Sequence, residues 1–406
     1  MSVDLAATLE RELGGDVLEC HGPEELDGVA VAATLRPGDG PGLGEAVRAL
    51  GRHGLAAVVR GAGQHLSLGN PPSRADVFLA TDRLAGVDTF EAGEGVCHAA
   101  AGTRLAELRR VVGEQGWEIP IDAPAEATLG GALAAAALGP RSHGYGAARD
   151  AVLGLEVVLG SGERTRCGGR VVKNVTGYDL AKLYVGSLGT LAVIEGAWLR
   201  LRPRPEATRV VAASMADLEA GCAFALEAAR RVSTRACALW GSARRGYECV
   251  VELAGDELGV AHDAQALAAE VVAPQRLAEL AEVQSGSSAG DLVLRIAALP
   301  TALPAIAHEL AAAGAELAVH PGLRLLYARF VAGSESPPAH DEALRAAASA
   351  ARRADAALRI ESAPPVVKRG RDVFGAGAAE IRLVRALKTR FDPQGTLAPG
   401  RAAGAT

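Results

Sequence analysis

The chain has 406 residues, a net charge of −6, and 49% apolar residues with only 3% aromatics. That length exceeds what one hydrophobic core fills, so two or more domains are expected, with cores built on Ala, Val and Leu. Charges of both signs are mixed, and no basic tract interleaved with aromatics points to nucleic acid; the longest apolar run, around residues 129–138, is too short and too rich in glycine and alanine to span a bilayer.

The cysteines stand at 20, 97, 167, 222, 237 and 249, with no Cys-x-x-Cys among them. Neither a zinc ribbon nor an iron–sulfur motif is present, no metal site is expected, and the scattered thiols read as buried small hydrophobes in a reducing compartment. The opening MSVDLAATLERELGG lacks a basic region followed by an apolar run, so no secretory signal is read and a cytoplasmic protein is expected.

Residues 24–85 read as strand–helix–strand units. Leu43, Ala46, Val47 and Leu50 recur at helical spacing, and 55–59 and 76–80 are short buried strands. Thr103 is the expected N-cap of a helix carrying Leu105, Leu108 and Val112. An alanine-rich helix follows Thr128-Leu-Gly-Gly131. Residues 152–159 and 163–167 form a hairpin around Gly160-Ser-Gly162, and 190–201 is a long strand ended by Pro203 and Pro205. Beyond Pro205 the pattern changes. Strands at 208–213, 235–240, 247–254, 291–298, 315–320 and 324–332 alternate with helices at 216–232, 258–270 and 301–313. This order fits an α+β sandwich of ferredoxin-like character, with helices on one sheet face. A helix, a strand at 356–360 and a helix near 377–390 precede the tail Phe391-Asp-Pro-Gln-Gly-Thr-Leu-Ala-Pro-Gly-Arg401.

Two glycine-dense segments stand out. Arg60-Gly-Ala-Gly-Gln-His-Leu-Ser-Leu-Gly69 follows a strand, and Gly168 to Arg200 carries Lys173, Asn174, Tyr178 and a Gly-Ser-Leu-Gly-Thr turn before a strand. Gly61 and Gly63 lack side chains that would keep backbone amides from a pyrophosphate, and Ser67 adds a hydroxyl. Taken alone, such a loop is more often a tight turn. Gly61-Ala-Gly63 is followed by Gln-His-Leu, without the third glycine of a dinucleotide-binding Rossmann helix, which argues against NAD. Lysine occurs only at 173, 182, 368 and 388. Lys173 is a candidate cation beside a bound cofactor, against the alternative of a solvated side chain. Asn174 and Tyr178 are candidate donors to that cofactor or to substrate, and Tyr178 is equally plausible as a packing residue.

Thr128-Leu-Gly-Gly131 and Gly139-Pro-Arg-Ser-His-Gly-Tyr-Gly146 extend the series, and in this order it resembles the FAD-binding domain of the vanillyl-alcohol oxidase / p-cresol methylhydroxylase superfamily. The stretch Val172-Lys-Asn-Val-Thr-Gly-Tyr-Asp179 is most like the GlcE-type FAD-binding subunit of glycolate oxidase, and the tail resembles the superfamily's C-terminal signature. The resemblance implies an α+β fold: a two-subdomain FAD-binding domain of p-cresol methylhydroxylase type over 25–205, after an N-terminal segment 1–24. A ferredoxin-like α/β sandwich cap would occupy 206–340, and 341–406 would return to the FAD domain. It implies that Arg60, Gly61, Ala62, Gly63, Gln64, His65 and Ser67 hold the pyrophosphate. Thr128, Leu129, Gly130, Gly131, Ser142, Gly144 and Tyr145 would line the flavin ring, with Lys173 beside it, and Gly189, Val193 and Ile194 would pass the adenine and ribose. Arg141 and His143 read as turn residues, with reach to the ring or a carboxylate as the alternative.

Some relatives attach FAD through a histidine in this loop. Here His65 stands one place later than in that pattern, so non-covalent FAD is expected, with His65 a loop hydrogen-bonder or simply an exposed histidine. Two departures bear on mechanism. The related metal-binding cap segment has thinned to one histidine, His320, and the glutamate of the related Gly-Ser-Glu-Gly-Thr turn is Leu188. The resemblance implies a larger FAD-binding oxidase subunit and an iron–sulfur subunit as partners, and a small 2-hydroxy acid such as glycolate as substrate. Attachment to a membrane would run only through those partners. A flavin relay or assembly subunit, and a stand-alone oxidase of another hydroxy acid, are the alternatives.

Overall fold

The computed structural model describes residues 3–170, 178–285, 290–331 and 337–404. They form two compact units, the first comprising Met1–Ala137, Ala147–Arg204 and Ala376–Thr406, the second Leu138–Gly146 and Pro205–Gly375.

The first unit begins with helix α1 (Val3–Leu13) and the hairpin of β1 (Leu18–Leu26) and β2 (Val29–Leu35). The hairpin turns at Asp27-Gly28, both left-handed at φ 49° and 85°, as a two-residue turn of this type requires. Helix α2 (Gly40–Arg52) is capped by Asp39, which accepts from Gly42 N–H at 2.7 Å. Its Leu43, Ala46, Val47 and Leu50 are fully buried, as their spacing predicts. Strands β3 (Ala57–Arg60) and β4 (Val77–Ala80) complete a four-stranded sheet of order β1-β2-β4-β3, in which β4 runs parallel to both neighbours.

β5 (Val87–Glu91) and β6 (Val96–Ala100) open a second sheet. Helix α3 (Leu105–Gly113) is not capped by Thr103. That hydroxyl is taken by Gly86, accepting from its N–H at 2.9 Å and donating to its carbonyl at 3.0 Å. The first helical N–H groups instead donate to Ala127 and Ala125 carbonyls, both at 2.9 Å. β7 (Trp117–Glu118) and α4 (Leu129–Ala134) follow. The excursion that holds the one-turn helix α5 (Ser142–Tyr145) belongs to the second unit. Then come β8 (Val152–Leu159), β9 (Arg164–Gly168), the turn α6 (Ala181–Tyr184), β10 (Ala192–Arg200) and β11 (Arg202–Pro203). The five-stranded sheet is antiparallel, in the order β5-β6-β10-β8-β9. Alternation along its central strands feeds two cores: Val157 and Ile194 pack with Leu105, Leu129 and Leu133, while Val158 and Val193 pack with Leu43, Val47 and Leu79.

The second unit is one eight-stranded sheet. Its elements in chain order are β12 (Ala207–Met215), α7 (Leu218–Ala228), β13 (Thr234–Ser242), β14 (Gly246–Gly255), α8 (Glu257–Leu267), β15 (Glu270–Val271), α9 (Gln275–Ser285), β16 (Leu292–Ala297), α10 (Leu303–Ala312), β17 (Glu316–His320), β18 (Leu325–Phe330), α11 (Pro337–Arg353), β19 (Ala357–Ser362) and α12 (Pro365–Lys368). The order β15-β12-β14-β13-β17-β18-β16-β19 is antiparallel throughout. Helices on one face alone do not describe it. Val211, Leu239, Val251 and Leu294 pack with α7, α8, α10 and α11, but the alternate residues Val210, Ala212, Ala238 and Val250 pack with Leu277 and Leu280 of α9. Both faces are covered, so these strands read as near-continuous apolar runs. The thiols divide too: Cys97, Cys222, Cys237 and Cys249 are buried, whereas Cys20 is exposed and Cys167 half-buried. Burial pushes the Cys97 thiol up to about 12.

The chain returns to the first unit at Ala376, later than residue 341, because α11 and β19 complete the second unit's core and sheet edge. Helix α13 (Ala378–Phe391) leads into a tail built on Asp392, whose side chain is fully buried. Its carboxylate accepts from Thr396 N–H at 3.0 Å, from Leu397 N–H at 2.8 Å and from Lys388 Nζ at 2.5 Å. Asp392→Ala should destabilise the first unit by about 2–4 kcal/mol, because two buried N–H donors and a largely buried ammonium lose their acceptor. Urea unfolding followed by a first-unit probe checks this, and an unchanged midpoint would contradict it.

Candidate functional site

Three glycine-bearing segments meet in one cleft of the first unit. β3 delivers Arg60 to the loop at Gly61; α4 begins behind Thr128; the turn before β10 carries Leu188 and Gly189. Together they surround about 700 Å3 of space, solvent at the mouth included. The walls are mainly Val58, Val59, Ala134, Ala135, Ala192 and Ile194, with the backbone of 61–66 along one side.

The glycines are required first by the protein's own packing. A Cβ on Gly61 would lie 2.1 Å from Thr128 Oγ1, and one on Gly130 would lie 2.7 Å from Ala101 Cβ. Gly189, at φ +69°, sits over Val59. Gly63, at φ +82°, turns the loop where an L side chain is strained. Thr128 also caps α4 by accepting from Gly131 N–H at 3.2 Å. The Thr128 side chain therefore caps its own helix and packs where a side chain at position 61 would stand.

Of the expected cofactor residues, Gly61, Ala62, Gly63, Gln64, His65, Thr128, Gly130, Gly131, Gly189 and Ile194 line this cleft. Four others do not. Arg60 turns its guanidinium to Glu24 at 2.6 Å and Thr34 at 3.2 Å, over the Phe78 ring, so it faces the loop only through its backbone. Ser67 is exposed, Leu129 lies in the core, and Val193 points to the opposite side of β10 from Ile194. Ser142, Gly144 and Tyr145 are grouped with the second unit, and Lys173 and Asn174 lie outside the described residues. Tyr178 is 97% exposed. Residues not singled out from the sequence include Leu66, Ala134, Ala135, Leu188, Ala192 and Arg401. The small and apolar ones carry no local signal; Arg401 stands in the tail motif already noted.

In the second unit, Arg141 grips Glu252 with Nε and Nη2, both at 2.8 Å, and Arg235 Nε donates to the same carboxylate at 2.6 Å. Burial works to raise the Glu252 pKa, but hydrogen bonds from Arg141 and Arg235 hold it below the usual 4.5. Arg141 is thus the clamp that fastens the 138–146 excursion. His320 is fully buried, with Nε2 2.7 Å from Gln284 and Nδ1 3.3 Å from the Cys237 carbonyl. Burial pushes it down to about 4, so it is neutral at pH 7. Among the described residues no group of three His, Cys, Asp or Glu is placed to hold a metal ion, and no helix is long and apolar enough to cross a membrane.

Residues 31–168 match the family model of the FAD binding domain. The chain is 36% identical over 154 residues to glycolate oxidase subunit GlcE of Escherichia coli, covering 37% of this chain and 43% of that protein. It is 36% identical over 179 residues to D-lactate dehydrogenase of Archaeoglobus fulgidus, 44% of this chain and 40% of that one. It is 35% identical over 178 residues to mitochondrial D-2-hydroxyglutarate dehydrogenase of Rattus norvegicus, 43% and 33% respectively. The matches span less than half the length of these relatives. Among solved structures, p-cresol methylhydroxylase with substrate bound aligns at a TM-score of 0.75 and 15% identity, covering 98% of this chain and 96% of that one. Alkyldihydroxyacetonephosphate synthase aligns at 0.70 and 14%, covering 98% and 84%. This chain therefore carries an FAD binding domain, with FAD as its cofactor, on an α+β fold shared with p-cresol methylhydroxylase. An apolar wall beside exposed glycine backbone fits the flavin and pyrophosphate of such a ligand.

Gly61→Ala should lower FAD affinity at least ~10-fold by forcing Thr128 away from the loop, and adding Thr128→Ala should restore part of it, a coupling of about 1 kcal/mol or more. Flavin absorbance and fluorescence titration of the purified variants check both. For Glu252, a lowered folded pKa means that its stabilisation is present above 4.5 and is lost as pH falls through the folded value. Glu252→Gln should accordingly lower stability at neutral pH and flatten the acid limb below pH 4.5, measured by urea unfolding against pH.

Proposed function

We propose that this chain is the FAD-binding subunit of a glycolate oxidase-type complex that oxidises a 2-hydroxy acid, glycolate to glyoxylate, and passes electrons to an iron–sulfur partner. The observation that carries this reading is the single cleft in which the loop at 61–66, Thr128-Leu-Gly-Gly131 and Leu188-Gly189 converge, together with the 36% identity to a glycolate oxidase subunit over 154 residues. Bound there, FAD supplies the two-electron acceptor. The chain's own part is to bind and shield: the amides of 61–66 face the phosphates, and Ala134, Ala135 and Ile194 keep water from the ring. In the same reading Lys173 sets positive charge beside the flavin, and Asn174 and Tyr178 donate hydrogen bonds to flavin or substrate. The cysteines are scattered through the chain without cluster spacing, which favours a cluster carried on another subunit. A larger FAD-binding oxidase subunit completes the assembly, which works in the cytoplasm and meets a membrane only through its partners.

A second reading, a flavin relay without substrate turnover of its own, is favoured by His320. Both of its ring nitrogens are already engaged inside the second unit, so it supplies neither a ready base nor an open ligand position. Anaerobic mixing of the FAD-loaded chain with glycolate or D-lactate distinguishes the two. Bleaching of the flavin within one turnover is the expected result for the first reading. No bleaching, with a flavin that still accepts electrons from dithionite, would leave the relay.

A further inference from the structure

Arg401 differs from every other residue of the cleft. It is the one arginine or lysine among the described residues that line it; the others are apolar or glycine, with Gln64, His65, Thr81 and Thr128. The residue is only 2% exposed. Its Nη2 donates to the carbonyl of Leu66 at 2.8 Å and to that of Leu68, both in the loop that follows Gly61 to Gly63. Its Nη1 is buried and makes no hydrogen bond. Oδ2 of Asp27 is 3.9 Å from it, a long ion pair beyond hydrogen-bonding distance. A guanidinium carries five donors, and burying it with some of them unused is costly unless something else answers the charge.

The backbone around it is held firmly. Asn70 N–H donates to the Arg401 carbonyl at 3.2 Å, Asn70 Nδ2 donates to the Ala402 carbonyl at 2.8 Å, and Ser73 N–H donates to the Pro399 carbonyl at 2.9 Å. A side chain on Gly400 would come within 2.3 Å of Ser73 N. The tail is thus built to deliver this one arginine to the back of the loop.

FAD brings a doubly charged pyrophosphate into a cleft with apolar walls. Backbone amides offer partial charges, whereas a full positive charge at low effective dielectric stabilises an anion far more. We propose that Arg401 is an FAD-binding residue that acts in two ways: its guanidinium supplies the charge that balances the pyrophosphate, and its Nη2 pins the Leu66 and Leu68 carbonyls so that the loop presents N–H groups to the ligand. The proposal rests on the reading that this cleft seats FAD.

The test is titration of the deflavinated full chain with FAD at several salt concentrations, followed by flavin fluorescence, for the wild type, R401Q, R401K and A135F. Thermal unfolding of each FAD-free protein is recorded alongside. R401Q should bind FAD ~10–100-fold more weakly, and the salt dependence seen in the wild type should flatten. R401K keeps the charge without the two-carbonyl grip, so it should retain the wild-type salt slope at reduced affinity. A135F, which fills the cleft, should abolish binding. If A135F binds FAD normally, the cleft is not the seat of FAD and the proposal falls with that reading. If A135F fails to bind while R401Q matches the wild type in affinity and salt slope, the cleft stands and the role of Arg401 is overturned. Should R401Q not fold without FAD, R401K decides: a wild-type salt slope supports the charge role, and a flattened one overturns it.

Discussion

The cleft depends on how the edge of β3 is closed. β3 is four residues long and lies at the end of its sheet, so by itself it would hold the loop at Gly61 loosely. The tail after α13 takes the open edge. Ala57 N–H donates to the Thr396 carbonyl at 2.8 Å, and Ala398 N–H returns to the Ala57 carbonyl at 2.7 Å, a short parallel bridge to Leu397. Asp392 orders the turn that brings the tail there, and Lys388 ties it to the Thr190 carbonyl at 2.8 Å, just before β10. Segments hundreds of residues apart are fixed by one network. An edge strand is ordinarily a liability for pairing with other chains; here the pairing is made internally and stiffens the site.

A preformed cleft follows from this. The glycines of a nucleotide-binding loop are commonly explained by the ligand's need for close approach, yet Gly61, Gly130 and Gly189 are each already crowded by protein atoms, from Thr128, Ala101 and Val59. Their missing side chains let three backbone segments converge before any ligand arrives. Ordering entropy that a looser site would lose on binding has already been lost on folding. The cleft is therefore part of the first unit's fold.

Elements whose order is local were readable from the chain. The α2 stripe, the β8–β9 hairpin about Gly160-Ser-Gly162 and the β10 strand emerge where periodicity and turn residues put them. What was missed depends on distant partners. Thr103 has the chemistry of a cap, but Gly86 takes its hydroxyl. Arg60 sits at the loop, but Glu24 of β1 takes its guanidinium. Val193 and Ile194 are chemically alike neighbours, and only the position of β10 between two cores decides which one faces the cleft. α9 covers the second sheet face, yet its polar outer residues hide a stripe of Leu277 and Leu280. Arg401 was visible as part of a motif, but its place beside the loop depends on a contact with Leu66 and Leu68 across more than three hundred positions.

Leu188 sets the charge of the cleft wall at the turn before β10. It adopts φ 53°, a left-handed conformation that costs a residue other than glycine roughly 1–3 kcal/mol. It is held there because its N–H donates to the Ala134 carbonyl at 2.9 Å, and because Gly69 leaves room for its Cδ1, which a Cβ on that glycine would meet at 2.7 Å. A glutamate at this position would bring a negative charge to the wall. Leucine removes it, and the carboxylate that faces the Arg401 guanidinium is that of Asp27, 3.9 Å from Nη1 and outside the cleft lining. A wall that is apolar along the turn and positive at the tail suits a ligand with an uncharged ring system and an anionic linker.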